Sequence, residues 1–412
     1  MPTDTESAAL ERLRAPETIR ERAENVFHAA EQDRLEHFAL DLAALDGVTE
    51  RVLSVIERNY PDRAIPYHSR WGHFRAHGED RLASIEPLLA RLDARERART
   101  LFDLVVVSVL LDAGAGAAWR YRESGTRAVL ARSEGLAVAS FHAFVRGAFS
   151  PNKDEPLRAD AEGLEQLEEA ALAEAFQVSA ENPLVGLGGR VELMRALGRA
   201  LRARSDLFGS DARIGGLVDH LVERANGGGV LPAAEILAAV LDGLSPIWPG
   251  RLSLGGVGLG DVWPHPKAGG EGPSAGLVPL HKLSQWLSYS LVEPLEELGL
   301  RVVELDRLTG LAEYRNGGLF VDMGVLRPKH EELTRVRHAP GDEPVVEWRA
   351  LTIALLDRTA ARVRERLGVD AQALPLAKVL EGGTWHAGRE VALERRSDGA
   401  PPIAIVSDGT VF

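Results

Sequence analysis

The chain has 412 residues, 45% hydrophobic and 26% charged, enough for a substantial buried core. Its net charge of -13, from 48 basic against 61 acidic side chains, argues against nucleic acid or an anionic membrane as the main partner. Cysteine is absent, which excludes disulfides, thiolate metal sites and cysteine nucleophiles.

The N-terminal stretch is rich in acids and has no apolar core of a secretory signal. The longest apolar run, 104–111 (LVVVSVLL), falls far short of the ~20 residues a membrane span needs. A soluble cytoplasmic protein is expected. Helical spacing then dominates. Pro16 fits the first turn of a helix bearing Ile19, Ala23, Val26, Phe27 and Ala30, and the spacing continues through Phe38, Leu42 and Leu45 to Gly47. Thr49 reads as the cap of a second helix carrying Val52, Val55 and Ile56, ended by Pro61. Further helices are expected over 91–111, 127–144, 190–202 and 233–241, and the acidic stretch 160–174 reads as a solvated helix.

Two later helices have the clearest stripes. Leu280, Leu283, Leu287, Leu291, Leu295 and Leu298 recur at three- and four-residue spacing, with Pro294 inside the stripe. A kink is expected near Ser290, whose carbonyl the proline ring crowds. Over 345–367, Trp348, Leu351, Leu355, Thr359 and Val363 share one face. The main strand signal is terminal, a hairpin over 403–412 turning at Asp408–Gly409. The expectation is a mainly α protein, one integrated domain over 1–412 ending in that hairpin. The 245–276 loop, which carries Asp261, Trp263, His265 and Lys267, is too long for a plain connector.

Gly255–Gly260 (GGVGLG) is not expected to be a dinucleotide loop, because no strand is expected before it and Trp-Pro-His-Pro follows in place of a helix. GLGGR at 186–190 precedes a helix and could meet an anion, but a tight helix-entry loop is the simpler reading. His73 and His77 have metal-ligand spacing but no matching acid, so no metal and no cofactor are expected. Tyr67, His68, Arg70 and Trp71 suit the lining of a polar, sugar-phosphate-binding pocket. Lys282, Gln285 and Tyr289 share a face off the leucine stripe, most simply an exposed polar one. Glu347 and Arg349 flank Trp348 at the start of the late helix, where a carboxylate suits the helix dipole. The densest signal is LTGLAEYRNGGLFVDMGVL, 308–326, where Glu313, Tyr314, Arg315 and Asn316 stand together in an apolar setting. Buried charges are costly unless paired, so this cluster is either a pinned ion pair or a working site.

Long segments, among them YPDRAIPYHSRWGHF, NPLVGLGGR, VPLHKLSQWLSYSLVEPL, the Glu313 segment, EWRALTIALLD and LEGGTWHAGRE, resemble the family of the fourth component of the URC uracil-catabolism pathway. That resemblance implies a pathway in which uracil becomes a ribotide and a partner resembling GTP cyclohydrolase II opens the ring. A urea attached to ribose remains, and its removal requires cleavage of the ribose C1'–N bond. A weaker resemblance, to the queuosine-salvage N-glycosylases with their helix-hairpin-helix DNA-glycosylase-like fold, points the same way. Leu311, Ala312, Glu313, Tyr314 and Arg315 match their Phe-Ala-Asp-Tyr-Arg motif, with Glu in place of Asp and Asn-Gly-Gly replacing Val-Pro-Gln. Lys282–Gln285 and Glu347–Arg349 match a Lys-x-x-Gln helix and a Glu-x-Arg start.

The resemblances imply a hydrolase that releases urea from a ribosylurea or its 5'-phosphate. Glu313 would be the carboxylate beside the oxocarbenium-like sugar, with Asp306 or Asp261 as second acid. Tyr314, Asn316, Gln285 and Trp71 would contact substrate, and Arg315, Lys282, Arg70 and His68 would hold a phosphate. The alternatives are an amidohydrolase attacking the urea and a non-catalytic partner of the ring-opening enzyme.

Overall fold

A computed structural model describes residues 2–248 and 251–406. The chain is mainly helical, its strands are two or three residues long, and no helix among the described residues is long and apolar enough to cross a membrane. It divides into two compact units. The first takes residues 2–68, 251–285 and 304–406; the second takes 69–248 and 286–303.

In the first unit, helix Pro16–Glu31 begins on its proline and buries Ile19, Ala23, Val26, Phe27 and Ala30. It packs on Glu343–Leu367, which buries the expected Trp348, Leu351, Leu355, Thr359 and Val363. The Arg358 guanidinium lies 3.6 Å from the centre of the Phe27 ring while pairing with Glu24 at 2.6 Å. Between these helices the helical reading of Phe38 fails. Phe38–Leu40 is a strand, antiparallel to Leu326–Pro328. Thr49 caps nothing, because the helix starts earlier, at Leu45, and the Thr49 hydroxyl donates back to the Leu45 carbonyl at 2.9 Å. Its end at Asn59, just before Pro61, is as expected.

Among its described residues, the 245–276 loop carries three short strands. Ser253–Leu254 pairs antiparallel with Val257–Gly258 around Gly255 and Gly256, whose φ angles of 57° and 79° give the two left-handed residues that a tight hairpin demands. Val262–Pro264 pairs with Leu277–Pro279. At the other end, Ala404–Ile405 runs parallel to Arg337–His338. The expected hairpin turn at Asp408–Gly409, with 407–412, lies outside the described residues.

The second unit contains helices Ala94–Leu110, Arg132–Val145, Leu187–Ala203 and Ala233–Leu244. The second starts later than its spacing predicts, since Val129–Leu130 first pairs with Tyr121–Arg122. Arg190 settles the GLGGR question. Its guanidinium is buried and donates to the Leu111 and Ala113 carbonyls at 3.1 and 2.6 Å, so the run is a helix-entry loop tied to the end of a neighbouring helix. The acidic stretch breaks into two short helices, Ala161–Glu165 and Glu169–Ala175.

Helix Lys282–Glu297 continues through Pro294. Proline has no N–H, so the Ser290 carbonyl loses its helical donor. The Trp71 indole supplies one, with Nε1–H donating to that carbonyl at 2.8 Å, while the Arg70 amide donates to Ser290 Oγ at 2.9 Å. Trp71→Phe should therefore strand a buried carbonyl and cost ~1–3 kcal/mol. Adding Pro294→Ala returns a backbone donor, so the double variant should lose less than the sum of the singles in urea unfolding. Strict additivity would show that the indole bond carries none of the cost.

Candidate functional site

The first unit brings Glu313, Asp261, Asp306, Lys282, Gln285, Tyr314, Arg315, Asn316 and His68 onto one framework. Its centre is Arg349, which is buried. Its Nη1 and Nη2 donate to the two oxygens of Asp261 at 2.7 and 2.8 Å, and its Nε donates to the Ala312 carbonyl at 3.1 Å. Trp263 Nε1–H adds a bond to Asp261 Oδ1 at 2.7 Å, and the Lys282 amide donates to Oδ2 at 3.0 Å. Burial alone would raise the Asp261 pKa. The Arg349 charge and these hydrogen bonds outweigh it and hold the carboxyl far below the ordinary range. Asp261 is thus a pinned anion joining the start of the Lys282–Glu297 helix to the segment before Glu313.

Glu313 is the N-cap of helix Tyr314–Asp322. Its Oε2 accepts the Arg315 N–H at 2.7 Å and its Oε1 the Asn316 N–H at 2.6 Å. The residue is buried and makes no ion pair among the described residues. Burial pushes its pKa up, against those two N–H bonds and the charges of Lys282 and Arg315. Arg315 does not pair with it; its Nη1 donates to the Gly399 carbonyl at 2.7 Å and its guanidinium sits 5.0 Å from the Tyr314 ring centre. Asn316 Oδ1 accepts the Thr384 hydroxyl at 2.8 Å. Two close approaches set this helix. A Cβ on Gly317 would stand 2.8 Å from Trp348 and Thr352 atoms, and one on Gly388 only 2.2 Å from the Arg315 carbonyl oxygen.

Asp306 is held by Arg364 at 2.5 Å and accepts the Leu376 N–H at 2.7 Å. Gln285 is fully buried, which removes the exposed-face reading. Its Oε1 accepts the Thr309 N–H at 3.2 Å, and its Nε2 has no hydrogen-bond partner among the described residues. His68 contacts Glu381, Nδ1 to Oε2 at 2.8 Å, on a π-helical turn Leu380–Thr384. Glu381 also bonds Tyr60, whose phenol is raised to about 12 by burial and then by that carboxylate.

Arg70 and Trp71 belong to the second unit. Arg70 is fully buried, with Nη1 donating to Asp112 at 2.6 Å and Nε to Ser108 Oγ at 2.7 Å. Trp71 lines a cavity of about 250 Å³ with Arg75, Arg97 and Glu293. Sequence reasoning passed over Ser108, Glu293, Glu381 and Thr384. Ser108 had a signal, as the one polar residue in LVVVSVLL; Glu381 and Thr384 lay unexamined in LEGGTWHAGRE.

Arg349→Met should cost about 3–5 kcal/mol near neutral pH, because it leaves the Asp261 charge buried and uncompensated. A depressed carboxyl pKa contributes stability above its unfolded value, ~3.9, and loses it as pH falls through the folded value. The deficit of the variant should therefore shrink on acidification below about pH 4. Urea unfolding at several pH values checks this, and a pH-independent deficit would assign the loss to packing.

The family described as "Protein of unknown function (DUF1688)" matches residues 12–412. "Uracil catabolism protein 4" of Lachancea kluyveri is 40% identical over 429 residues, covering 96% of this chain and 97% of that protein. "Protein urg3" of Schizosaccharomyces pombe is 38% identical over 415 residues, covering 99% and 100%. With matches of this length on a single set of residues, the chain belongs to the DUF1688 family, the kindred of uracil catabolism protein 4.

Proposed function

We propose that this protein acts in uracil catabolism as an N-ribosidic hydrolase, cleaving the C1'–N bond of a ribosylurea, or its 5'-phosphate, and releasing urea. The relative named for uracil catabolism supports the setting. The observation that carries the chemistry is Glu313, a buried carboxylate fixed by two backbone amides and making no ion pair among the described residues. Asp261 and Asp306 are each committed to an arginine, so they enter the proposal as positioning anions. The helical frame is proposed to be of the helix-hairpin-helix N-glycosylase kind.

Water adds to C1' as the C1'–N bond breaks, and the leaving nitrogen takes a proton from solvent to become urea, balanced by the proton that Glu313 removes from the attacking water and returns to solvent. The growing positive charge on the sugar is offset by Glu313, which also orients the water and accepts its proton. Gln285 Nε2, a buried donor without a partner among the described residues, is the group proposed to bind the urea oxygen as it departs. Lys282, whose charge already reaches Glu313, and Tyr314 and Asn316 beside it complete the contacts. Arg315, Arg70 and His68 already hold Gly399, Asp112 and Glu381, which a 5'-phosphate would have to displace. The unphosphorylated riboside is therefore the first substrate to assay.

The purified protein should release equimolar urea and reducing sugar from ribosylurea. Ammonia without reducing sugar would replace this reading with an amidohydrolase. Glu313→Gln should lower turnover by ~10²–10³-fold. It should also lose about 0.5–2 kcal/mol of stability, since the amide can accept only one of the two capping N–H bonds. A destabilised variant with normal turnover per folded molecule would reduce Glu313 to a helix cap. Since burial raises the Glu313 pKa, the acid limb of kcat/KM should lie above the ordinary glutamate value of ~4.3. A limb at or below that value would move the essential base elsewhere.

A further inference from the structure

Helix Glu343–Leu367 opens with two glutamates, Glu343 and Glu347, four residues apart and so on one face. Like charges at that spacing repel, yet His37 closes on them, with its Nε2 3.8 Å from Glu343 Oε1. One donor atom from each of His37, Glu343 and Glu347 lies within 4.8 Å of the other two; no other trio of acids and histidines among the described residues meets that condition. Glu347 is 1% exposed. Its Oε1 accepts the His37 and Phe38 amides at 3.2 and 2.9 Å, while its Oε2 has no hydrogen-bond partner among the described residues. Facing that oxygen at 3.5 Å is Nε2 of His265, a ring with no exposure whose Nε2 is likewise without a hydrogen bond. His265 Nδ1 accepts the Lys267 amide at 3.2 Å, so Nε2 carries the ring proton, on the side of the carboxylate but without bonding it.

A buried carboxylate oxygen whose facing imidazole nitrogen stands 3.5 Å away without a hydrogen bond forming is an expensive arrangement, and two such unsatisfied polar atoms mark a place where something is bound. We propose that His37, Glu343 and Glu347 form a binding site for one divalent transition cation. Two carboxylates and a neutral imidazole balance a double positive charge. The imidazole nitrogen favours Zn²⁺ or Mn²⁺ over Mg²⁺ and Ca²⁺, which take all-oxygen shells. The two backbone amides on Oε1 fix the orientation of Glu347, as outer hydrogen bonds do at metal sites. Glu343 and His37 keep side-chain exposures of 42% and 22%, which gives the ion a way in and leaves coordination positions for water. The cation joins the start of strand Phe38–Leu40 to the first turn of the helix that carries Arg349 six residues further on.

The test uses the full chain, stripped with a chelator, dialysed, and titrated with Zn²⁺ or Mn²⁺ by calorimetry, with melting temperature followed in parallel. One equivalent should bind and the melting temperature should rise. His37→Ala and Glu343→Gln should each weaken binding by at least ~10-fold, the lower end of what losing even an outer-shell partner costs. Glu343 is half exposed, so its glutamine variant should fold normally, which circular dichroism checks. His28→Ala, removing an exposed histidine paired with Glu31 at 2.8 Å, should bind like the parent. Absence of a bound equivalent, or binding untouched by both substitutions, would overturn the site and leave Glu347–His265 as a long polar contact. No turnover is measured, so this outcome is independent of the proposed hydrolysis.

Discussion

Asp261 and Arg349 carry opposite charges into an interior where neither is tolerable alone, and much of the first unit is arranged around their meeting. Removing two ions from water costs several kcal/mol each, and only close geometry with additional hydrogen bonds offsets it. Here the guanidinium grips both carboxylate oxygens and still reaches the Ala312 carbonyl, while Trp263 and the Lys282 amide occupy the remaining acceptor positions. One pair therefore fixes three stretches of chain: the loop that holds Asp261, the start of the Lys282 helix, and the approach to Glu313. An apolar replacement could match its stability. It could not hold three backbone segments in register, because apolar contacts have no direction.

Glu313 sits at the end of that chain of constraint and faces a different balance. As an N-cap it is unusual, since aspartate, asparagine, serine and threonine are preferred there. The longer side chain still reaches both first-turn amides, and the helix N-terminus favours its charge. Burial works against that charge, and the net result is a carboxylate that holds its proton more readily than a solvated one. A group in this position is structural and chemically ready at once, so stability and activity must be measured together at this residue.

The helices were legible because their information is local. The Trp348 stripe repeats every three or four residues, and nothing distant is needed to recognise it. GGVGLG is a hairpin turn on the left-handed glycines 255 and 256, although one ground for excluding a nucleotide loop fails, since the two-residue strand Ser253–Leu254 does precede it; no helix follows directly. What was hidden is non-local. Phe38 fits a helical stripe until Leu326–Pro328 offers it a strand, and Ala404–Ile405 found its partner at Arg337–His338. Arg70 and Arg315 read as free cations because their acceptors, Asp112 and the Gly399 carbonyl, lie far along the chain. Glu313 stood out as a misplaced charge, but its capping role did not, because glutamate is a weak signal for a helix start.

The first unit is assembled from three separated stretches, and this bears on how the protein is made. Helix Pro16–Glu31 buries its apolar face against Glu343–Leu367, and Phe38 pairs with Pro328. At ordinary rates of translation, on the order of tens of seconds pass between the emergence of the early helix and that of its partner. Throughout that interval Ile19, Val26 and Phe27 have no native surface to meet. The nascent chain must be shielded by chaperones or by transient contacts of its own, and the second unit, whose 69–248 stretch is continuous, has the opportunity to fold before the first.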